Sequence, residues 1–188
     1  VAQTTKIDVR LSTNRCPALN GHAKAIVALK ASGANIDTPN NKGETPLYIA
    51  AAHGHEEAIA ALISAGANVN KLNNDDETPI FSAAKNGHSG AITALHAAGA
   101  DVNTKNKYGL TPICFSAQNG HAEAVTILHT LGADVNTPCT SGLTPIFFAA
   151  ENGHASTIAA LRAEDANVNA RNNDDETPVY VAAKKGHA

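Results

Sequence analysis

An all-α repeat solenoid, made of short helix pairs joined by turn-tipped fingers, is the architecture expected of these 188 residues. Three regularities predict it. Thr-Pro recurs every 33 residues, at Thr45-Pro46, Thr78-Pro79, Thr111-Pro112, Thr144-Pro145 and Thr177-Pro178. Gly-His keeps the same step, from Gly21-His22 through Gly54-His55, Gly87-His88, Gly120-His121 and Gly153-His154 to Gly186-His187. Apolar ladders run in phase with both: Leu29, Leu62, Leu95, Leu128 and Leu161; Ile26, Ile59, Ile92, Val125 and Ile158; Leu47, Ile80, Ile113, Ile146 and Val179. A fixed period of this length is the signature of stacked supersecondary units. Such a stack offers an extended surface rather than a single catalytic pocket.

Residues 40–72 serve as the type unit. Thr45 is an N-cap whose hydroxyl can accept a free N–H of the first turn, and Pro46 follows at the first helical position, where its missing N–H costs nothing. Gly54 ends this first helix, of roughly nine residues, in a left-handed conformation. A second helix is expected from about Glu56 to Ala65, ended in the same way by Gly66, with Ile59 and Leu62 facing inward. Gly66-Ala67-Asn68-Val69-Asn70 and Asn73-Asn74-Asp75-Asp76 then read as an extended finger, because Gly, Asn and Asp tolerate turn geometry. Its apolar anchor repeats as Ile36, Val69, Val102, Val135 and Val168. One such helix pair cannot bury its own apolar face, whereas stacked copies can, and small pairs such as Ala50-Ala51 and Ala83-Ala84 let the first helices approach closely.

Bulk composition narrows the function. The chain is 43% hydrophobic, without Trp or Met, and no run of about 18 apolar residues suggests a membrane span. The net charge of −3 and the lack of a basic block remove the counterion-release attraction on which nucleic-acid binders depend. Cys16, Cys114 and Cys139 are odd in number and far apart, which argues against a disulfide framework and favours an intracellular, cytoplasmic setting. Val1 is not an initiator Met, so an excised or processed piece is expected.

At the Thr-Pro positions the chain resembles the ankyrin-repeat family, whose signature is Thr-Pro-Leu-His-x-Ala at a period of 33. Here the signature reads Thr-Pro-Leu-Tyr-Ile-Ala, Thr-Pro-Ile-Phe-Ser-Ala, Thr-Pro-Ile-Cys-Phe-Ser, Thr-Pro-Ile-Phe-Phe-Ala and Thr-Pro-Val-Tyr-Val-Ala. The family His is replaced each time, by Tyr48, Phe81, Cys114, Phe147 or Tyr180. The resemblance implies L-shaped units, hairpin-like fingers roughly perpendicular to paired helices, and a concave face that binds protein. It covers one ankyrin domain: a degenerate first unit (1–39), full units at 40–72, 73–105, 106–138 and 139–171, and a truncated unit at 172–188. In the first unit Thr-Pro is absent and Pro17 falls within the first helix, which should be shortened, kinked or replaced by a capping element. The last unit lacks its second helix and leaves Val179 without a shield. Asp76 and Asp175 take finger positions held elsewhere by Gly, and Asp165 takes a helix-ending glycine position, where it should weaken its unit.

Catalysis, metal and cofactor find little support. The Gly-His ladder places its histidines on successive helices, which pack about 8–10 Å apart, so they cannot share a zinc whose nitrogen ligands lie near ~2 Å. They read as structural residues tying helix to finger, and His96 and His129 as surface residues. The acidic tips Asn73-Asn74-Asp75-Asp76-Glu77 and Asn172-Asn173-Asp174-Asp175-Glu176 do not match a calcium loop and read as solvated turns or partner-facing charge. Cys114 should be buried, and no Ser, His and Asp set shows a nucleophile turn.

The expected function is that of a protein–protein interaction scaffold without catalysis or cofactor; the alternative is a targeting or regulatory arm of a larger enzyme, channel or effector. The resemblance places partner contacts at the finger tips and at the exposed end of each first helix. These include Glu44 and His53; Asn74, Asp75 and Glu77; Tyr108, Leu110 and Asn119; Leu143 and Asn152; and Glu176. Tyr108, Leu110 and Leu143 are apolar in fingers that otherwise carry polar tips, so an apolar partner segment flanked by Lys or Arg is expected. Neither nucleic acid nor membrane is expected as a partner. The chain is expected to be monomeric, with end-to-end stacking open to its truncated last unit. Asn70, Asn103, Asn136 and Asn169 also resemble asparagines that are hydroxylated in some ankyrin proteins.

Overall fold

A computed structural model describes residues 22–187. The expectations about Cys16, Pro17 and the start of the first unit lie outside these residues. Ten helices follow in order: α1 (Ala23–Ala31), α2 (Pro46–Ala52), α3 (Glu56–Ser64), α4 (Pro79–Lys85), α5 (Ser89–Ala97), α6 (Pro112–Gln118), α7 (Ala122–Thr130), α8 (Pro145–Glu151), α9 (Ala155–Ala163) and α10 (Pro178–Lys185). The even-numbered helices pack in one row and the odd-numbered helices in a second, and each inner helix also packs on the outer helix that follows it, from α2 on α3 to α8 on α9. The described residues contain no strand, so the fingers are turns rather than true hairpins.

The ladders form the core. Leu47, Ile59, Leu62, Ile80, Ile92, Leu95, Ile113, Leu128, Ile146 and Leu161 are almost entirely enclosed. The ends of the ladders are open: Val179 is 74% exposed, Val168 39% and Leu29 36%. Burying each such side chain contributes about 1.5–3 kcal/mol, and the contribution is complete only when neighbouring units cover it.

The first helices begin as expected, but their caps differ. Thr45 Oγ1 accepts the N–H of Tyr48 at 3.2 Å, and Thr177 Oγ1 that of Tyr180 at 3.4 Å. At Thr78, Thr111 and Thr144 the corresponding N–H instead donates to the threonine's own carbonyl, at 3.0 Å in each case. Thr111 Oγ1 lies 3.4 Å from Cys114 Sγ, whereas the hydroxyls of Thr78 and Thr144 are buried with no hydrogen-bond partner. Phe81 and Phe147 offer these two hydroxyls nothing to bond.

The Gly-His ladder has a different role from the expected helix-to-finger tie. It fastens each unit to the one before it. His88 Nε2 lies 3.1 Å from the carbonyl oxygen of Ala52, His121 Nε2 3.1 Å from Lys85, His154 Nε2 3.0 Å from Gln118 and His187 Nε2 3.0 Å from Glu151. A carbonyl only accepts, so Nε2 carries the proton in each case. The glycine of the preceding unit makes room for the ring. Gly87 has φ +71°, and a Cβ built there would stand 2.6 Å from His121 Nδ1 and 2.7 Å from its Cγ. The dipeptide therefore recurs because its Gly receives the next His, not its own.

His96 and His129 also have structural work. Their Nδ1 atoms lie 3.2 and 3.3 Å from the carbonyl oxygens of Ala100 and Ala133, where the chain leaves each outer helix. Asp76, Asp165 and Asp175 are left-handed, at φ 59°, 62° and 62°.

Two predictions follow from this architecture. Gly87→Ala should destabilise the fold by about 2 kcal/mol or more, combining left-handed strain with the clash against His121. In a His121→Ala background, which alone should cost about 1 kcal/mol, the same change should cost only the strain; equal costs in the two backgrounds, measured by urea denaturation, would exclude the contact. Asp165→Gly should raise stability by about 0.5–1 kcal/mol, because it relieves left-handed strain and removes a negative charge from the C-terminal end of α9.

Candidate protein-binding face

The fingers are built on a repeated asparagine. Asn40 Oδ1 accepts the backbone N–H groups of Lys42 and Glu44, Asn73 those of Asp75 and Glu77, Asn106 those of Tyr108 and Leu110, and Asn172 those of Asp174 and Glu176. Each carboxamide thus closes its own tip. The exception is Cys139, whose Sγ lies 3.1 Å from Ser141 Oγ. Single backbone bonds join neighbouring fingers: Asn74 N–H to Lys42 O, Lys107 N–H to Asp75 O, Thr140 N–H to Tyr108 O and Asn173 N–H to Ser141 O, at 3.0–3.3 Å.

Several residues expected at the partner surface are engaged within the chain. The Glu77 carboxylate accepts from Tyr48 Oη at 3.0 Å, from Asn106 Nδ2 at 3.3 Å and from Asn73 Nδ2 at 3.5 Å, so it clamps three successive units. Glu44 accepts from Asn40 Nδ2 at 2.7 Å, and Asn74 Nδ2 donates to Asn41 O at 3.1 Å. Asn119 and Asn152 cap their helices, donating to Phe115 O and Phe148 O at 2.8 Å. Asp75 holds Lys107 Nζ at 2.5 Å, and Glu176 holds Lys184 Nζ at 3.0 Å. The Asp75 carboxylate raises the pKa of the Lys107 ammonium, and Lys184 followed by Asn172 lowers that of Glu176.

The apolar set divides in the same way. Leu110 and Leu143 are half-buried and pack against the core. Tyr108 is 56% exposed, with Lys107 Nζ 5.2 Å from its ring centroid. His53 is exposed and stacks on His55, with ring centroids 5.7 Å apart. Sequence reasoning missed Phe115, a half-buried ring on α6 with its edge to Phe81 and Lys85 Nζ 5.9 Å from its centroid. Its signal was available, since Phe115 and Phe148 are the aromatic residues at a position that is Ile49, Ser82 and Val181 elsewhere.

Asn70, Asn103 and Asn136 link outer helices. Their Nδ2 atoms donate to Gly99 O, Gly132 O and Asp165 O at 3.0, 2.8 and 3.1 Å, while their Oδ1 atoms accept from Asp101, Asp134 and Asn167 N–H. Among the described residues no group of three or more His, Cys, Asp or Glu is placed to hold a metal ion, and no helix is long and apolar enough to cross a membrane. Burial raises the pKa of the Cys114 thiol.

Burial, reinforced by the Glu77 carboxylate, pushes the Tyr48 hydroxyl far above the ordinary tyrosine value. Below pH of about 10 folded and unfolded chains both keep this proton, and it adds no pH dependence. Above that value the unfolded chain sheds it while the folded chain holds it, so stability falls as pH rises. Absorbance titration should show Tyr48 ionising only as the fold opens, and Tyr48→Phe should remove that late phase; ionisation of Tyr48 in the intact fold would refute its clamp to Glu77.

A search among curated proteins found no match to this chain. A family model describing Ankyrin repeats matches it in three copies, over residues 16–106, 83–172 and 113–188. These matches overlap and run from residue 16 to residue 188, across the Thr-Pro caps, paired helices and turn-built fingers, and the chain belongs to the ankyrin-repeat family.

Proposed function

We propose that the chain binds a protein partner through its fingers and inner-helix ends, with Tyr108 as the anchor. Ankyrin repeats are generally protein–protein interaction modules, and as a rule they serve as scaffolds rather than catalysts. The observation that carries the choice of Tyr108 is its exposure at a tip position held elsewhere by Lys42, Asp75, Ser141 and Asp174. Tyrosine is favoured at binding hot spots, because a rigid ring gives a large contact at low entropic cost.

The partner segment on Tyr108 is apolar, and Leu110 and Leu143 line its approach from their half-buried positions. Lys or Arg flanking that segment would meet Asp75 and Glu176, which already hold lysines of this chain. Such flanks exchange ion pairs rather than add them, so they tune specificity more than affinity.

Tyr108→Ala is the informative variant, since Leu110 and Leu143 support the core and their truncation would also weaken the fold. With a partner recovered on the intact chain, Tyr108→Ala should weaken binding by about 2 kcal/mol, roughly 30-fold, with an unchanged circular dichroism spectrum. An affinity equal to that of the wild type would remove Tyr108 as the anchor.

A further inference from the structure

Lysines attend three rings along the fingers and inner helices, Lys107 at Tyr108, Lys184 at Tyr180 and Lys85 at Phe115, and they differ in one respect. Lys107, beside Tyr108, is paired with Asp75. Lys85, beside Phe115, is paired with no carboxylate among the described residues. The later inner-helix lysines do not share this state: Lys184 is held by Glu176, and Lys185 by Glu151 at 2.9 Å. At the position after Lys85 in the same row, the Gln118 carboxamide makes no hydrogen bond to described residues, although its backbone carbonyl accepts from His154.

We infer that the ends of α4 and α6 form a carboxylate subsite for an acidic–apolar partner segment. The segment's Asp or Glu lies against the Lys85 ammonium, and a neighbouring apolar side chain lies on Phe115. This inference rests on the protein-binding reading above and names the partner's chemistry at the base of that face.

Phe115 is itself braced edge-on by Phe81, at 5.8 Å between centroids and 74° between planes. Lys85 is thus drawn toward a fixed ring by cation–π attraction, which lowers the cost of ordering its long stem when a carboxylate arrives. The ring beneath supplies apolar surface beside the charge. A basic segment is disfavoured here because Lys85 would repel it. A nucleic-acid backbone is disfavoured because the chain has a net charge of −3 and no basic block.

The test uses a displayed library of random linear peptides, selected in parallel on the wild-type chain and on Lys85→Glu. Wild type should enrich peptides with Asp or Glu within a few residues of an aromatic or aliphatic side chain. Those peptides should bind Lys85→Met about five-fold more weakly, Lys85→Glu at least about ten-fold more weakly, and Lys85→Arg almost unchanged. Lys85 is exposed, so all three variants should keep the wild-type circular dichroism spectrum. Peptides without acidic enrichment, or peptides that bind Lys85→Glu as well as wild type, overturn the subsite. If Tyr108→Ala still weakens those peptides, protein binding stands without the carboxylate site. If no peptide binds wild type above background, both readings fall.

Discussion

The contact that holds this solenoid together is the one between an imidazole and the unit before it. From His88 to His187, each ring donates Nε2–H to the last carbonyl of the preceding inner helix and lies over a glycine that offers it no Cβ. The bond satisfies a helix-end acceptor that would otherwise lack an intrahelical partner. The bare glycine lets the ring approach closely enough to fix the spacing of adjacent units. Everything placed on the face, from finger spacing to the neighbours of each inner helix, takes its register from that spacing. From His88 to His187 the ladder places one ring at each interface, with its Nε2 proton committed to a carbonyl.

A second set of links guards the register at the other corners of the stack. Asn70, Asn103 and Asn136 each donate to and accept from the next unit through a single carboxamide. Glu77 reaches back to Tyr48 on α2 and forward to Asn106 in the next finger, which couples three units through one carboxylate. These bonds are individually modest, at about 0.5–1.5 kcal/mol. Their value lies in recurrence, because a unit that slipped against its neighbour would break the histidine, asparagine and finger bonds together. Stability in such a stack is close to a sum of unit and interface terms. The left-handed Asp165 and the partnerless, fully buried Thr157 hydroxyl therefore concentrate weakness around α9.

The sequence made the repetition legible but left the cross-unit partners hidden. Thr45-Pro46 marks a helix start, and the Leu62 and Ile59 ladders mark buried faces, because capping and helical periodicity act within a few residues. The Gly-His dipeptide was equally visible, yet its meaning was not, since His121 touches Gly87 rather than adjacent Gly120. Nor could a finger-tip position alone show that Glu77 bonds Tyr48 or that Asp75 holds Lys107. Those pairings depend on how far one unit rotates against the next, a quantity that a perfect repeat does not encode. The same limit explains Leu110 and Leu143: their place in a finger suggested exposure, and the packing of that finger half-buried them.

Binding specificity in a periodic scaffold arises where periodicity fails. A side chain repeated in every unit meets its own copies, and selection of the repeat supplies each copy with an internal partner, as with the asparagines that close the fingers. A side chain that occurs once has no such guarantee. Tyr108 has no aromatic counterpart at the tips, and Phe115, whose position is aromatic again only at Phe148, stands with Lys85 Nζ 5.9 Å from its ring centroid. The acidic tips looked distinctive in sequence, but Asp75 and Glu176 are neutralised by lysines of adjoining segments. The middle units carry the exposed Tyr108 ring at the finger edge and the Lys85–Phe115 pair at the helix ends, where Lys85 meets no carboxylate among the described residues. There, α4 and α6 pack against inner helices on both sides, so the Lys85–Phe115 pair stands on helices covered from either direction.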